Sequence, residues 1–496
     1  MSLKTYYFLL TLLLPCFSLY AQNQVIVNDA DLVGGSTYTW TADNEYLLNG
    51  IVVLETGGVL TIEPGTIIRG RASFSINSGD NASALIIARG AQLFAEGTPS
   101  QPIVFTAEED DVLDPTDFTP EDVGEWGGLA LLGAAPISRP GGQAGLEGFN
   151  AADLRFSFGG DAPADNSGSL RYVSIRHVGA QASVDNEMNG LTLAGVGNGT
   201  LIDQVETFAC LDDGFEFLGG TVNAYHLIAT YCQDDAFDVD LGYRGIGQFW
   251  LGVASRGHLA EIDGANPDNQ PPFALPDLAN LTLVGTNPSS DVQREGESLY
   301  FRDNTGGRIR NSVFVNARTA AVVIEDRDDT ETEDAFARFQ AGDLSLTNNY
   351  FSNENGETNW SEVAFLWDQA ETVSPTPQTA LTDVLAANNE LTATPVIENS
   401  ATNDFATFSP LPRAGSSILT GGTPITEPGF VSVPYQGAFG ENDNWFRWSA
   451  TTVDTDFFQI VSGQVTQAAE NCTPLPGDVP AAGVIVRLET DGTFRY

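Results

Sequence analysis

The sequence predicts an all-β fold: a single-stranded right-handed parallel β-helix, a solenoid with projecting loops and a C-terminal cap. Three observations predict it. Short β-branched runs bounded by Gly, Asn and Pro-Gly recur about every 20 to 25 residues, which is the punctuation of strands and tight turns. Sustained helical periodicity is scarce, the one weak stretch being "TETEDAFARFQAG" from Thr330 to Gly342. Finally, "CLDDGFEFLGG" from Cys210 is nearly rewritten 22 residues later as "CQDDAFDVDLG" from Cys232, the offset of one coil stacked on the next.

Taken in order, the chain opens on "MSLKTYYFLLTLLLPCFSLYAQ". One lysine, an apolar run too short to span a bilayer and a small residue at Ala21 predict a cleaved signal peptide over 1–21. A β-helix domain over 22–452 follows. Its first units are "YLLNGIVVLETGGVLTIEPGTIIRG" (Tyr46 to Gly70) and "ALIIARGAQLFAEGTPSQPIVFTA" (Ala84 to Ala107). Later units begin at Trp126, Leu170, Asn189, Leu278, Arg308 and Leu344. Between them lie acidic, Gly-rich or Pro-rich excursions at Asp110–Asp122, Arg139–Ser169 and Asn266–Pro276, and Thr372–Asp404 reads as irregular cover over the late coils. "NWFRW" is expected to close the C-terminal end of the stack, and 453–496 forms a tail without repeat character. A pair of β-sandwiches is the competing all-β reading, but sandwich strands rarely copy themselves at a 22-residue offset.

Charge limits the partners. The 496 residues carry 21 basic and 66 acidic side chains, a net charge of -45, which excludes nucleic acid and an anionic membrane face by repulsion. Lys4, in the leader, is the lone lysine. So acidic a surface suits a saline, halophilic setting, where the Debye length falls to about 3 Å at molar salt. An acidic secreted protein that gathers divalent cations is the alternative. No segment after the leader is apolar for long enough to cross a membrane.

Several units together carry a resemblance: "GVLTIEPGTIIRG", "ARGAQLFAEGTPSQPIVFTA", "EWGGLALLG", "DDGFEFLGGTVN", "DDAFDVDLGYRGIGQF" and "YQGAFGENDNWFRW". Over most of Val25 to Thr452 the chain resembles secreted bacterial right-handed parallel β-helix repeat proteins with the pectin-lyase-like superfamily fold. The resemblance implies the architecture and secretion. It implies no particular activity and supplies no catalytic residue.

The repeated pair is the candidate site. In adjacent coils about 4.8 Å apart, Asp212 stacks on Asp234, Asp213 on Asp235 and Glu216 on Asp238. Strand alternation places Asp213 on the inward face with Phe215 and Phe217, where an unpaired carboxylate costs several kcal/mol. A turn at the Asp-Asp step that lets both acids face out is the expected solution. Outward columns of like charge still repel, and a hard divalent cation held by carboxylate oxygens relieves them. Asp212, Asp213, Glu216, Asp234, Asp235 and Asp238 are therefore the candidate ligands of Ca2+, with Asp240, Glu261 and Asp263 available to complete the shell. A hydrated acidic surface without bound metal is the alternative. Stacked Cys210 and Cys232 fit a disulfide, toward which export tips the balance, or a reduced interior pair; Cys472 is left without an obvious partner.

For catalysis, Arg244 is the first candidate base, with Arg256 and His258 next, and Asp212 and Asp234 are candidate acid and base in the hydrolase manner. An acidic neighbourhood opposes the fall in pKa that an arginine base needs. His177, His226 and His258 lack zinc-type spacing. Trp126, Trp250, Trp360, Trp445 and Trp448 recur beside strands, as sugar platforms or as core. The expected function is calcium-supported binding of a polysaccharide or envelope component by a secreted or cell-surface monomer. A polysaccharide lyase or glycoside hydrolase at the acidic patch, and a purely structural surface protein, are the alternatives.

Overall fold

In the computed structural model the described residues are 23–450, apart from 113, 115, 185, 287–295, 328–333, 355, 368–374, 403–406 and 444, with four two-residue strands beyond 459. The expected leader, with Lys4 and Cys16, lies outside them, as does Cys472. Among these residues no helix is long and apolar enough to cross a membrane.

The chain winds as a parallel β-helix whose coils each contribute strands to three lateral sheets. The first is a ten-stranded sheet running from Ile51–Leu54 through Leu191–Ala194, Phe215–Leu218, Phe237–Asp240, Glu261–Asp263 and Leu299–Arg302 to Ala364–Trp367. The second runs from Thr37–Trp40 to Leu344–Thr347 and the third from Asn23–Val27 to Glu390–Thr392. Coil-to-coil pairing is parallel throughout, which excludes the sandwich. Gly168–Val178, Leu201–Cys210 and Asn223–Thr230 pass through both the second and third sheets as single long strands. They turn the corner between them at Tyr172, Gln204 and His226, each with positive φ. In the following coils this left-handed position is taken by Phe249 and then by Asn280, Asn311 and Asn348, and asparagine is the non-glycine residue best suited to it.

Inward-facing Leu, Ile and Val form one continuous core with an aromatic stack. Phe215 lies on Phe237 at 5.5 Å between ring centroids, and Trp250 stacks on Phe237 at 4.8 Å and on Phe217 at 5.4 Å. Trp126 and Trp250 are fully buried, their indole N–H groups donating to the carbonyls of Arg176 and Ala224. Both tryptophans are thus core, not platform. Gly70 is required beside Trp126, because a Cβ there would lie 2.4 Å from the tryptophan side chain.

A C-terminal cap is present, but of a different kind from the one expected. The helix Pro375–Asn388, read from sequence as irregular cover, lies against the last strands of the first two sheets and sinks Leu381 and Leu385 into the core. "NWFRW" does not sit there. After Ile397 the chain doubles back along the outer face of the third sheet, and Trp445, Phe446 and Trp448 pack beside Ile228, Phe249 and Leu251, in the middle of the solenoid. The outward face of these coils is apolar and needs cover, which is why the aromatic run lies on the flank. The expected short helix is present as Ala335–Ala341, capped by the Asp334 carboxylate and ended at Gly342 with φ 83°.

On the first sheet, the excursion after Arg139 folds Leu146, Phe156 and Phe158 over outward-facing Ala130, Leu132, Ala194 and Leu218. That cover ends where the outward residues change from apolar to acidic, at Glu216.

Candidate functional site

The two cysteine-led copies meet in adjacent coils with the expected register: Phe215 pairs with Phe237, Glu216 with Asp238, and Leu218 with Asp240. The next strand extends the columns, Asp238 pairing with Glu261 and then Glu261 with Tyr300 and Asp263 with Arg302. Glu216, Asp238, Glu261 and Tyr300 thus share one outward column, about 4.8 Å per step.

The Asp-Asp step is a turn, as expected, yet both acids do not face out. Asp213 and Asp235 are buried, Asp212 is half-buried and only Asp234 is exposed. A ladder across coils explains the correction. Asn189 Oδ1 accepts the Asp213 N–H at 3.1 Å, Asp213 Oδ1 accepts the Asp235 N–H at 3.0 Å, and Asp235 Oδ1 accepts the His258 N–H. Each side chain satisfies a buried turn amide of the following coil, an amide that would otherwise cost about 1–3 kcal/mol.

Five of the six predicted ligands fall in two groups that share Asp213, and Asp235 falls in a third group with His258 and Glu261. Single oxygens of Asp212, Asp213 and Asp234 lie within 4.8 Å of one another, as do those of Asp213, Glu216 and Asp238. The adjoining group of Asp235, His258 and Glu261 meets the same limit. Burial, then Asp234, lifts the Asp212 carboxyl to about 6, and burial, then Asp212 and Asp240, lifts Glu216 to about 8. Burial first, then neighbouring acids, also raises Asp213, Asp235 and Asp238 well above the carboxylate range. The charges pressing on Asp238 are those of Asp213, Glu261, Asp263 and Glu216.

The cluster has two halves. On the C-terminal side Arg302 binds Asp263 with its Nε and terminal nitrogen at 2.7–2.9 Å and reaches Glu261 at 2.8 Å. His258 meets Glu297 at 2.7 Å and stacks on Tyr300 with centroids 4.5 Å apart. Here the protein supplies its own cation, the Arg302 guanidinium. On the N-terminal side Asn189 Nδ2 donates to Glu216 at 2.7 Å, and the polar partners placed around Glu216 and Asp213 are amides and carboxylates. This half opens into a cleft of about 240 Å³ lined by Glu147, Phe149, Met188, Asp212, Asp213 and Glu216, among others. Glu147 and Phe149 belong to the excursion after Arg139, which thus adds both an acid and an apolar ring to the cleft.

Arg244 is not brought to this site. It follows the strand Phe237–Asp240 at the end opposite the Asp234–Asp235 turn, is exposed, and donates from Nε to the Phe273 carbonyl at 2.9 Å. Arg256 pairs at the surface with Glu121 at 3.1 Å. Of Arg244, Arg256 and His258, only His258 contacts the cluster, through Asp235 and Glu261, and Asp212 and Asp234 are themselves part of it. Cys210 and Cys232 are stacked as expected but are free, buried thiols, not a disulfide. Burial and the adjoining Cys210 thiol raise Cys232 well above its ordinary range, so both behave as small apolar core residues. Sequence reasoning missed Asn189, Arg302, Glu297 and Tyr300. Asn189-Gly190 preceding Asp213-Gly214 in the repeat was the available signal for the first.

The fold and this outer wall define a parallel β-helix protein with a carboxylate-rich lateral cleft. A family model described as "Pectate-lyase like beta helix domain" matches residues 34–396, and the chain belongs to that family. Among solved structures it is similar to the pectate lyase Pel9A, at 12% identity over 83% of this chain and 98% of that one, with a TM-score of 0.36. It is also similar to the Dettilon tailspike protein, at 12% identity over 66% of this chain and 62% of that one, with a TM-score of 0.24. No curated protein matches it.

Proposed function

We propose that the protein is an exported, calcium-supported binder of glycan or another envelope component, which engages its ligand at the cleft beside Glu216. One observation carries the reading: carboxylate oxygens of Asp213, Glu216 and Asp238 lie within 4.8 Å of one another, and two further acids, Glu261 and Asp263, also press on Asp238. Such a cluster either holds protons at neutral pH or takes a cation, and carboxylate oxygens select a hard one such as Ca2+. A bound ion turns the acidic wall into a site for hydroxyl or carboxylate oxygens of a sugar. Phe149, Met188 and Leu146 line the same cleft and offer an apolar surface to a ring face. Calorimetric titration with calcium, on the wild type and on Glu216→Gln with Asp238→Asn, tests the ion. Retention on immobilised glycans with calcium and with chelator tests the binder. Absence of calcium uptake, or equal uptake by the double variant, overturns the site.

A second reading has its own observation. Glu216, lifted to about 8, keeps its proton near neutrality, while Asp212, lifted only to about 6, is mostly ionised there, so Glu216 suits a general acid for glycoside cleavage. Turnover of a glycan panel, abolished in Glu216→Gln, favours this enzyme; retention without turnover favours the binder.

A further inference from the structure

The two ends of the solenoid are treated differently. The C-terminal end is covered by the helix Pro375–Asn388. At the N-terminal end, among the described residues, Asn23–Val27 pairs only with Asn44–Leu48, and Thr37–Trp40 only with Val59–Ile62. Their sequences, NQVIV and TYTW, are uncharged and β-prone, and Val25 and Ile26 are 37% and 49% exposed. Natural sheet edges are ordinarily guarded by charge, proline or a bulge. Within these two strands none of those guards is present, in a chain of net charge -45.

The chain's own direction supplies an occupant. The return segment clips Gly421 to Asn348, Thr423 to Asn311, Tyr435 to Asn280 and Trp448 to Gln204, moving toward the N-terminal coils. Among the described residues it is last held where the Ala450 N–H donates to Glu206 at 2.9 Å. Forty-six residues remain after Ala450 in the 496-residue chain. From the strand holding Glu206 back to Asn23–Val27 there are five steps in the third sheet, roughly 24 Å at about 4.8 Å each. About eight extended residues span that. The tail then has "AAGVIVRLETDGTFRY" to spare, an alternating β pattern with an Asp-Gly turn, in which Arg487–Leu488 pairs antiparallel with Phe494–Arg495. Arg487 and Arg495 match the exposed Asp31 and Asp43 at the open end.

We propose that the C-terminal tail closes the N-terminal end of the solenoid by adding a strand from residues 481–496 to the free edge of Asn23–Val27. Strand addition satisfies the outward-facing amides and carbonyls of the edge and covers Val25 and Ile26. Hydrogen exchange of the amides of residues 23–40 in the purified full chain tests it, beside a full-length Val484→Pro, Val486→Pro variant that cannot donate a strand. The expected result is that the prolines speed exchange at Asn23–Val27 by about tenfold or more while the rest of the solenoid is unchanged. A peptide of residues 481–496, added in excess to the variant, slows it again. Equal exchange in the two proteins overturns the proposal. So does protection that rises with protein concentration, which would make a second copy the occupant.

Discussion

The Oδ1 of Asp213 accepts the backbone N–H of Asp235, its counterpart one coil later, at 3.0 Å. A residue whose charge is costly in its buried setting is therefore kept there by a bond that needs only its oxygen. Charge and acceptor are separable by mutation.

Asp213→Asn keeps an acceptor at Oδ1, as Asn189 does one coil earlier, and removes a charge held among acids. We expect calcium-free stability to be unchanged or higher, and calcium uptake to fall at least tenfold. Asp213→Ala should instead lose about 1–3 kcal/mol, from the orphaned Asp235 amide. Urea denaturation with and without calcium checks both.

Raised carboxyl pKa values give an uncommon pH dependence. Glu216 titrates near 8 when folded, against an ordinary value of 4.5, so the folded state binds its proton more tightly than the unfolded state. The sign follows from linkage: its contribution favours folding below about 4.5 and is lost as pH rises through about 8. Without calcium, the melting temperature of the wild type should fall relative to Glu216→Gln over that window. Calcium should flatten the difference, because the ion takes the proton's place. A difference that is constant with pH would refute the assignment.

Removing Arg302 leaves Asp263 and Glu261, both largely buried, without their guanidinium. Arg302→Met should cost on the order of 3 kcal/mol, and Asp263→Asn in the same chain should recover part of it. A double-mutant cycle by chemical denaturation measures the coupling.

Asn311 donates to the Thr423 carbonyl at 2.8 Å and accepts from its N–H at 3.1 Å, with φ 54°. Asn311→Ala removes these bonds and leaves a residue less suited to positive φ. We expect a loss of about 2–3 kcal/mol and new proteolytic cuts between Ile397 and Ala450, read by mass spectrometry.

The solenoid was legible because its coils nearly repeat: Cys210 and Cys232, Phe215 and Phe237, Glu216 and Asp238 mark one period without help from structure. The stacking of Glu216 on Asp238 followed from that period alone. Alternation placed Asp213 on the inward face, but what keeps it there was not legible, because the amide its oxygen satisfies belongs to a turn in the neighbouring coil. Arg302 was hidden for another reason: the excursion Asn266–Pro276 lengthens the coil, so the register that places Arg302 beside Asp263 spans 39 residues. The return segment was invisible because its anchors, Gln204, Asn280, Asn311 and Asn348, recur at uneven spacing, and their amides point outward only because the corner backbone is left-handed.

That return segment changes how the molecule comes apart. A stack in which each rung touches only its neighbours can unravel from a loose end, one rung at a time. Here a tie-rod bolted at Asn348, Asn311, Asn280 and Gln204 binds early rungs to late ones. Loss of the final rung has to tear fastenings all along the shaft, so the protein should hold together or fail as a single body.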